Sequence, residues 1–345
     1  MRRVVIALLT LSTTLALAAC GSSSSSSTSS SAATSASSTA SLTPAAGGAQ
    51  TASCATVTGA GASGPATLPT GKPGAGKPAV TLGDKNFPEE YVLGDLYADA
   101  LKARGFSVSI KGNIGSSELI YQALKNGDLG VYPEYTGVLL STIAKQNKTP
   151  ASATATYDEA NTYVKAHGSQ LLNATPFCDT DAIGVLASYA TAHHLASVAD
   201  IKALGKSFVI AGAPEFATRF EGLLGLKQLY GLDPGFKPLA IGLQYTALDA
   251  GQVQGADVFT TDGQLTSGKY TLLRDPKNVF GFQNVAPLVS KKVLAAEGPA
   301  FEATLNAVSS KLTTQAMQQM NGAVTINKDD PNAVAQKFLA ANGLT

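Results

Sequence analysis

Side chains that could do covalent chemistry are few. Histidine occurs 3 times in 345 residues, at His167, His193 and His194. The last two are adjacent in a polar stretch, and adjacent side chains on a helix do not face each other. There is no Gly-x-Ser-x-Gly elbow and no His-Glu-x-x-His pair, so a serine hydrolase lacks its nucleophile turn and a zinc peptidase its ligands. The acidic pairs Glu89/Glu90 and Asp329/Asp330 stand at expected helix starts, where they complement the helix dipole. The chain therefore reads as a non-enzyme with no cofactor and no metal. More pointed is "VYPEYTG" at 131–137, which sets Tyr132 and Tyr135 around a proline and a glutamate in a chain with no tryptophan and 7% aromatics. Spacing alone leaves two readings open. The rings pack between a sheet and its helices, or one of them faces a ligand.

The elements that must position these residues alternate. "AVTLG" is a short strand. "PEEYVLGDLYADALKARG" carries Val92, Leu93, Leu96, Tyr97, Ala100 and Leu101 on one helical face, with Pro88 at its start and Gly105 at its stop. "FSVSI" alternates like a strand. "GSSELIYQALKNG" is a helix opened by Ser116 or Ser117 and closed near Gly127. "DLGVYPEY" is a strand and "TGVLLSTIAK" a helix. The cadence returns in "IGVLAS" (strand), "SVADIKALG" (helix, Ser197 as cap), "SFVIAG" (strand) and a helix over roughly 217–230. "YQALKNGDLGVYPEYTG" is echoed by "YTALDAGQVQGADVFTTDG" at 245–263. Such alternation predicts an α/β protein with largely parallel sheets flanked by helices. The length from Ala79 onwards suits two lobes. In such sheets ligands sit beyond the carboxyl ends of the strands. Lys85, Asn86 and Phe87 lie there, as do Ser116, Ser117, Tyr135, Thr136, the stretch around Arg219, and Phe259, Thr260, Thr261 and Asp262.

With 25 Lys+Arg against 24 Asp+Glu, the net charge of +1 excludes nucleic-acid binding by bulk charge. Arg2 and Arg3 precede an apolar run from Val4 to Ala18, the layout of an export signal. "LAAC" then places small residues before Cys20, the pattern of a bacterial lipoprotein. An ordinary signal peptide that happens to carry Cys20 is the alternative. The lipoprotein reading implies a protein exported and lipid-anchored to the outer face of the cytoplasmic membrane. Residues 21–78 are Ser-, Thr-, Ala-, Gly- and Pro-rich and read as a flexible tether. Two nucleotide-binding look-alikes inside it, "GAGASG" and "GKPGAGK", lack the strand–helix context or the metal-binding hydroxyl and carry no weight. Cys54 and Cys178 remain after Cys20, and in an oxidising compartment such a pair is expected to bridge.

"GDKNFPEEYVLGDLYADAL", "GSSELIYQALKNGDLGVYPEYTGVLL", "PEFATR" and "TTDGQL" together resemble the substrate-binding proteins of glycine betaine/choline/carnitine (osmoprotectant) ABC importers. The resemblance covers nearly all of 79–345. It implies a type II periplasmic-binding-protein fold, two α/β lobes that close like a clam. The crossings are placed near 179–183 and 282–287. Lobe I is then 79–181 plus 284–345, and lobe II is 182–283. The implied partners are a small-molecule solute, an ABC permease and its ATPase, and the protein is expected to be a monomer. In the family a tyrosine cage holds the quaternary ammonium by its ring faces. Tyr135 matches a cage tyrosine, Lys85 a polar or basic position, and Arg219 the carboxylate-binding arginine, while Tyr132 is left to packing. Other positions depart. Val138 replaces a threonine, Asp181 stands where a cage tyrosine is expected beside Asp179, and Gln283 and Asn284 replace a tyrosine pair. Phe259 stands near a further cage position. This makes the expected pocket more polar than a betaine cage. It keeps open a solute with N–H or hydroxyl donors, such as an amino acid, and a sensory role for the same clam.

Overall fold

The computed structural model describes residues 55–62, 64 and 66–345. The signal segment with Cys20, most of the tether and Cys54 lie outside the described residues. The last part of the stretch read as tether does not behave as its composition suggested. Val57 is buried, Ala66 and Leu68 pack on the main core, Lys72 donates to the Ala103 carbonyl, and Arg104 donates to that of Pro69. A few apolar anchors and backbone acceptors dock a polar segment that has no core of its own.

Ten strands form two five-stranded sheets. The first contains β1 (Val80–Gly83), β2 (Val108–Lys111), β3 (Val131–Tyr135), β4 (Ser169–Leu171) and β10 (Val285–Ser290) in the order β2-β1-β3-β10-β4. The second contains β5 (Asp181–Leu186), β6 (Val209–Gly212), β7 (Gly235–Pro238), β8 (Gly255–Phe259) and β9 (Tyr270–Leu272) in the order β7-β6-β8-β5-β9. The two orders correspond place for place. In each sheet three parallel strands precede an antiparallel one, β10 beside β3 and β5 beside β8. These antiparallel strands directly follow the crossings, so the sheets are mixed rather than purely parallel. The echoed segments occupy the same place in each sheet. One ends in β3 and the other in β8, the strand next to the crossing strand.

Both faces of the first sheet are covered, as a largely parallel sheet requires. Alternation along β3 sends Val131 and Tyr135 to the core shared with α1 (Pro88–Ala103), and Tyr132 to the opposite core with Tyr157 and Leu288. Pro133 is tolerated in this central strand for a reason of register. It faces Pro287 of β10, and the Thr136 N–H to Asn284 carbonyl bond at 3.0 Å makes that proline pair a non-hydrogen-bonded one. On its other side β1 has already ended at Gly83.

In the second sheet several expected helices form as tighter or looser turns. Val198–Ala203 is 3-10, opened by a Ser197/Asp200 capping box. The 217–230 helix is two π-type turns, Phe220–Leu224 and Leu226–Tyr230, with Glu221 and Gly222 outside helical dihedrals in the first. Where the sheets meet, Gly263 abuts Gly322 of the helix Thr314–Thr325, and a Cβ on Gly263 would lie 2.4 Å from the Gly322 Cα.

Candidate functional site

A cleft of roughly 700 Å³, counting the part open to solvent, lies between the two sheets. The first sheet contributes Lys85, Asn86 and Phe87 after β1. Ser116 and Ser117 come from the start of α2 (Ser117–Asn126), and Tyr135 and Val138 from the end of β3 and the turn after it. Asp179 and Asp181 come from the crossing, and Glu215, Phe216, Arg219, Glu221, Asp257 and Phe259 from the second sheet and its loops. Most of these follow or end strands, as expected for an open α/β edge, while Asp181 opens the antiparallel β5 and Asp257 lies within β8.

The "VYPEYTG" segment builds the first wall. Lys85 is 2% exposed, and its ammonium donates to Glu134 Oε1 at 2.6 Å and to Glu90 Oε1 at 3.4 Å. The same ammonium stands 4.3 Å from the centroid of the Tyr135 ring. Glu134 also accepts from the Tyr132 hydroxyl at 2.9 Å and the Tyr135 N–H at 2.8 Å, so its charge is fully enclosed by donors. Burial pushes Glu90 up to about 8, against the pull of Lys85. The Tyr135 hydroxyl donates to Glu89 Oε1 at 2.9 Å, and Phe87 tilts against its ring at 6.2 Å. Tyr135 thus reaches the cleft with one aromatic face already covered by a cation of its own chain. Tyr132, fully buried, packs in the opposite core and holds Glu134 through its hydroxyl.

Below this wall, carboxyls from both sides meet. The Thr261 hydroxyl lies 2.6 Å from Glu89 Oε2 and 2.5 Å from Asp179 Oδ1. One hydroxyl supplies one proton, so one of the two carboxyls carries a proton of its own. Burial raises both groups, and the Glu89 charge raises Asp179 further. Hydrogen bonds from Thr261, Asn321 and Tyr135 restrain Glu89. A second pair follows from register. Asp181 lies opposite Phe259, which makes Asp257 its diagonal neighbour on the same face. Asp257 Oδ1 is buried with no hydrogen-bond partner among the described residues. Burial, then the Asp181 charge, pushes Asp257 well up, and burial raises Asp181.

On the second wall, Arg219 Nη2 donates to Glu118 Oε2 of α2 at 3.1 Å. Arg219 Nε is buried with no partner among the described residues. Glu221 accepts from the Ser141 hydroxyl across the cleft through Oε1, while its Oε2 is buried and unpartnered. Burial pushes Glu221 up to about 7.

Four residues expected in the pocket lie elsewhere. The Thr136 hydroxyl donates to the Phe282 carbonyl. The Thr260 hydroxyl donates to the Cys178 carbonyl and accepts from the Thr180 N–H. Gln283 accepts from the Val138 N–H, with Gly137 so close that a Cβ there would lie 2.6 Å from its amide. Asn284 donates to the Thr175 and Phe177 carbonyls. All four are buried and tie the crossings together, because a crossing strand inside a sheet leaves backbone groups that side chains must satisfy. Cys178, on the same crossing, is disulfide-bonded. Conversely, Glu118, Glu215, Phe216, Glu221 and Asp257 were not anticipated. Asp257 was within reach of the sequence, since it precedes Phe259 by one period of a strand whose other residues are apolar or glycine. Glu118 and Glu221 gave no signal, because only the approach of two distant segments brings them to the cleft.

Comparison with known proteins follows the same lines. The model of the substrate-binding domain of the ABC-type glycine betaine transport system matches residues 78–341. Over 275 residues the chain is 31% identical to a glycine-betaine-binding protein of Pseudomonas aeruginosa, a match that covers 76% of this chain and 88% of that one. Over 279 residues it is 26% identical to the glycine betaine-binding protein YehZ of Escherichia coli K12, covering 77% of this chain and 91% of the relative. Among solved structures, one described as a glycine betaine/carnitine/choline ABC transporter aligns with a TM-score of 0.65 at 23% identity. It covers 77% of this chain and 99% of the other, a likeness of fold.

Proposed function

We propose a ligand class and a mode of delivery from one premise: this chain belongs to the family of substrate-binding domains of ABC-type glycine betaine transport systems. It is accordingly the substrate-binding component of an osmoprotectant ABC transporter. The ligand in this reading is a small quaternary-ammonium solute such as choline, glycine betaine or carnitine. One observation carries it. The cleft sets the rings of Phe87, Tyr135, Phe216 and Phe259 among Asp179, Asp181, Glu215, Glu221 and Asp257, against the cations Lys85 and Arg219 alone. Because Lys85 is already paired with Glu134, the remaining field favours a cation, and ring faces complement one that has shed its water.

Lobe I (79–181 plus 284–345) and lobe II (182–283) close on the solute, and the closed form docks on a permease driven by its ATPase. Export and a lipid on Cys20 hold the monomer at the outer face of the membrane, and Cys54 is the partner of Cys178. A second reading rests on Lys85. With its ammonium over the Tyr135 ring, one face of the expected cage is taken, and a solute with N–H donors gains from the surrounding carboxyls what a trimethylammonium does not.

Thermal unfolding of the exported chain against choline, glycine betaine, carnitine, proline betaine, ectoine, polyamines and the common amino acids tests both. A solute at a hundred times its dissociation constant stabilises by about 2.7 kcal/mol, a shift of several degrees. A shift with the quaternary ammonium solutes supports the first reading. A shift with amino acids or polyamines alone replaces it with the second.

A further inference from the structure

Among the described residues, one ion pair joins the two walls of the cleft, Glu118 of α2 to Arg219 of the second wall. Its geometry is incomplete. Glu118 reaches only Nη2 of the guanidinium, while Nε, on the same edge of that planar group, is buried without a partner among the described residues. A carboxylate placed squarely against this edge would take both N–H groups, the fork geometry in which arginine binds carboxylates most strongly. Glu118 is kept from that position by its attachment. It stands in the first turn of its helix, and the same Oε2 also accepts from the Ser116 hydroxyl at 2.6 Å. The other acids around Arg219, namely Asp181, Glu215 and Glu221, act on it through space without a contact within ion-pair distance.

We propose that Glu118 is a displaceable stand-in for a ligand carboxylate, one that holds the ligand-free cleft shut at Arg219 and sets the preference between carboxylated and uncarboxylated cations. Resting on the quaternary-ammonium reading above, the inference assigns a specificity role to a residue outside the cage. A solute with a carboxylate gains the full guanidinium fork but must first expel Glu118. A solute without one, such as choline, leaves Glu118 in place and keeps the bridge between the walls. Glu118 therefore penalises glycine betaine relative to choline.

The test is calorimetric titration of glycine betaine and choline into the wild-type chain, Glu118→Gln and Glu118→Ala, alongside small-angle scattering of each without ligand. Glu118 is partly exposed, with its side chain at 42%, so both variants are expected to fold. Removing a half-exposed ion-pair partner should raise affinity for glycine betaine by about fivefold in Glu118→Ala. Affinity for choline should stay within about twofold or fall. Without ligand, Glu118→Ala should have a larger radius of gyration than wild type. An unchanged betaine-to-choline ratio, or equal gains for both, overturns the specificity role. If neither solute binds any of the three proteins, the quaternary-ammonium reading fails separately. The scattering then decides the latch, and an unchanged radius of gyration overturns it.

Discussion

On the first wall, Lys85 lies between Glu134, Glu90 and the face of Tyr135, and Glu134 in turn is held by Tyr132 and the chain itself. On the second, Arg219 bonds one carboxylate through one nitrogen, and Arg219 Nε and Glu221 Oε2 are buried without partners among the described residues. The walls stand on sheets of matching order, so the difference is not one of architecture. It lies in the support. Tyr135 ends a fully buried strand, whereas Arg219 precedes π-type turns broken at Glu221 and Gly222. A complete network is fixed before any solute arrives. An incomplete one has hydrogen bonds still to make, and it is the wall that closure can adjust.

The two walls should differ most in what they contribute to stability. Lys85→Met removes the cation that faces the buried Glu134 and should destabilise the fold by about 3–5 kcal/mol in urea unfolding. Arg219→Met removes a pair whose side chains are 21% and 42% exposed, and should change stability by no more than about 1 kcal/mol. Comparable losses in the two variants would erase the distinction between the walls.

A smaller effect is expected where the sheets touch. Gly263→Ala drives a Cβ into the Gly322 backbone, and overpacking of this kind costs about 1–3 kcal/mol. The loss should appear both as a lower melting temperature and as weaker binding of every solute, because it acts on closure rather than on one wall. Unchanged affinity would mean that this contact persists in the open form as well.

A third effect, spread over several pH units, concerns Asp262. Asp262 accepts from the Tyr245 hydroxyl and the Phe259 N–H, and burial pushes it up to about 7 from 3.8. The folded chain therefore keeps a proton between those values that the unfolded chain has released. The stability this gives is full below pH 4 and is lost as pH rises through 7. Asp262→Asn keeps both acceptor contacts and removes the titration. Its unfolding free energy should fall less steeply between pH 5 and 7, by up to about 1.4 kcal/mol per pH unit. Parallel slopes in variant and wild type would show that Asp262 is ionised throughout.

Much of this was legible in the residues. The alternation of short apolar runs with helical faces determined two α/β halves, because period and capping are local properties. The echo of 121–137 in 245–263 marked equivalent strands, since the same helix–strand unit recurs at the same place in each sheet. That Lys85, Phe87, Tyr135, Arg219 and Phe259 share one edge also followed, because the three parallel strands of each sheet end at the same edge. Tertiary structure alone decided the rest. It turned Thr136, Thr260, Gln283 and Asn284 inward to satisfy the crossings, since a hydrogen-bond debt depends on which backbone groups neighbours leave open. It set Lys85 on the ring expected to receive a ligand, and it brought Glu118 to Arg219 from 101 positions away in the chain. Charge pairing of that kind depends on distance in space, which no pattern along a sequence records.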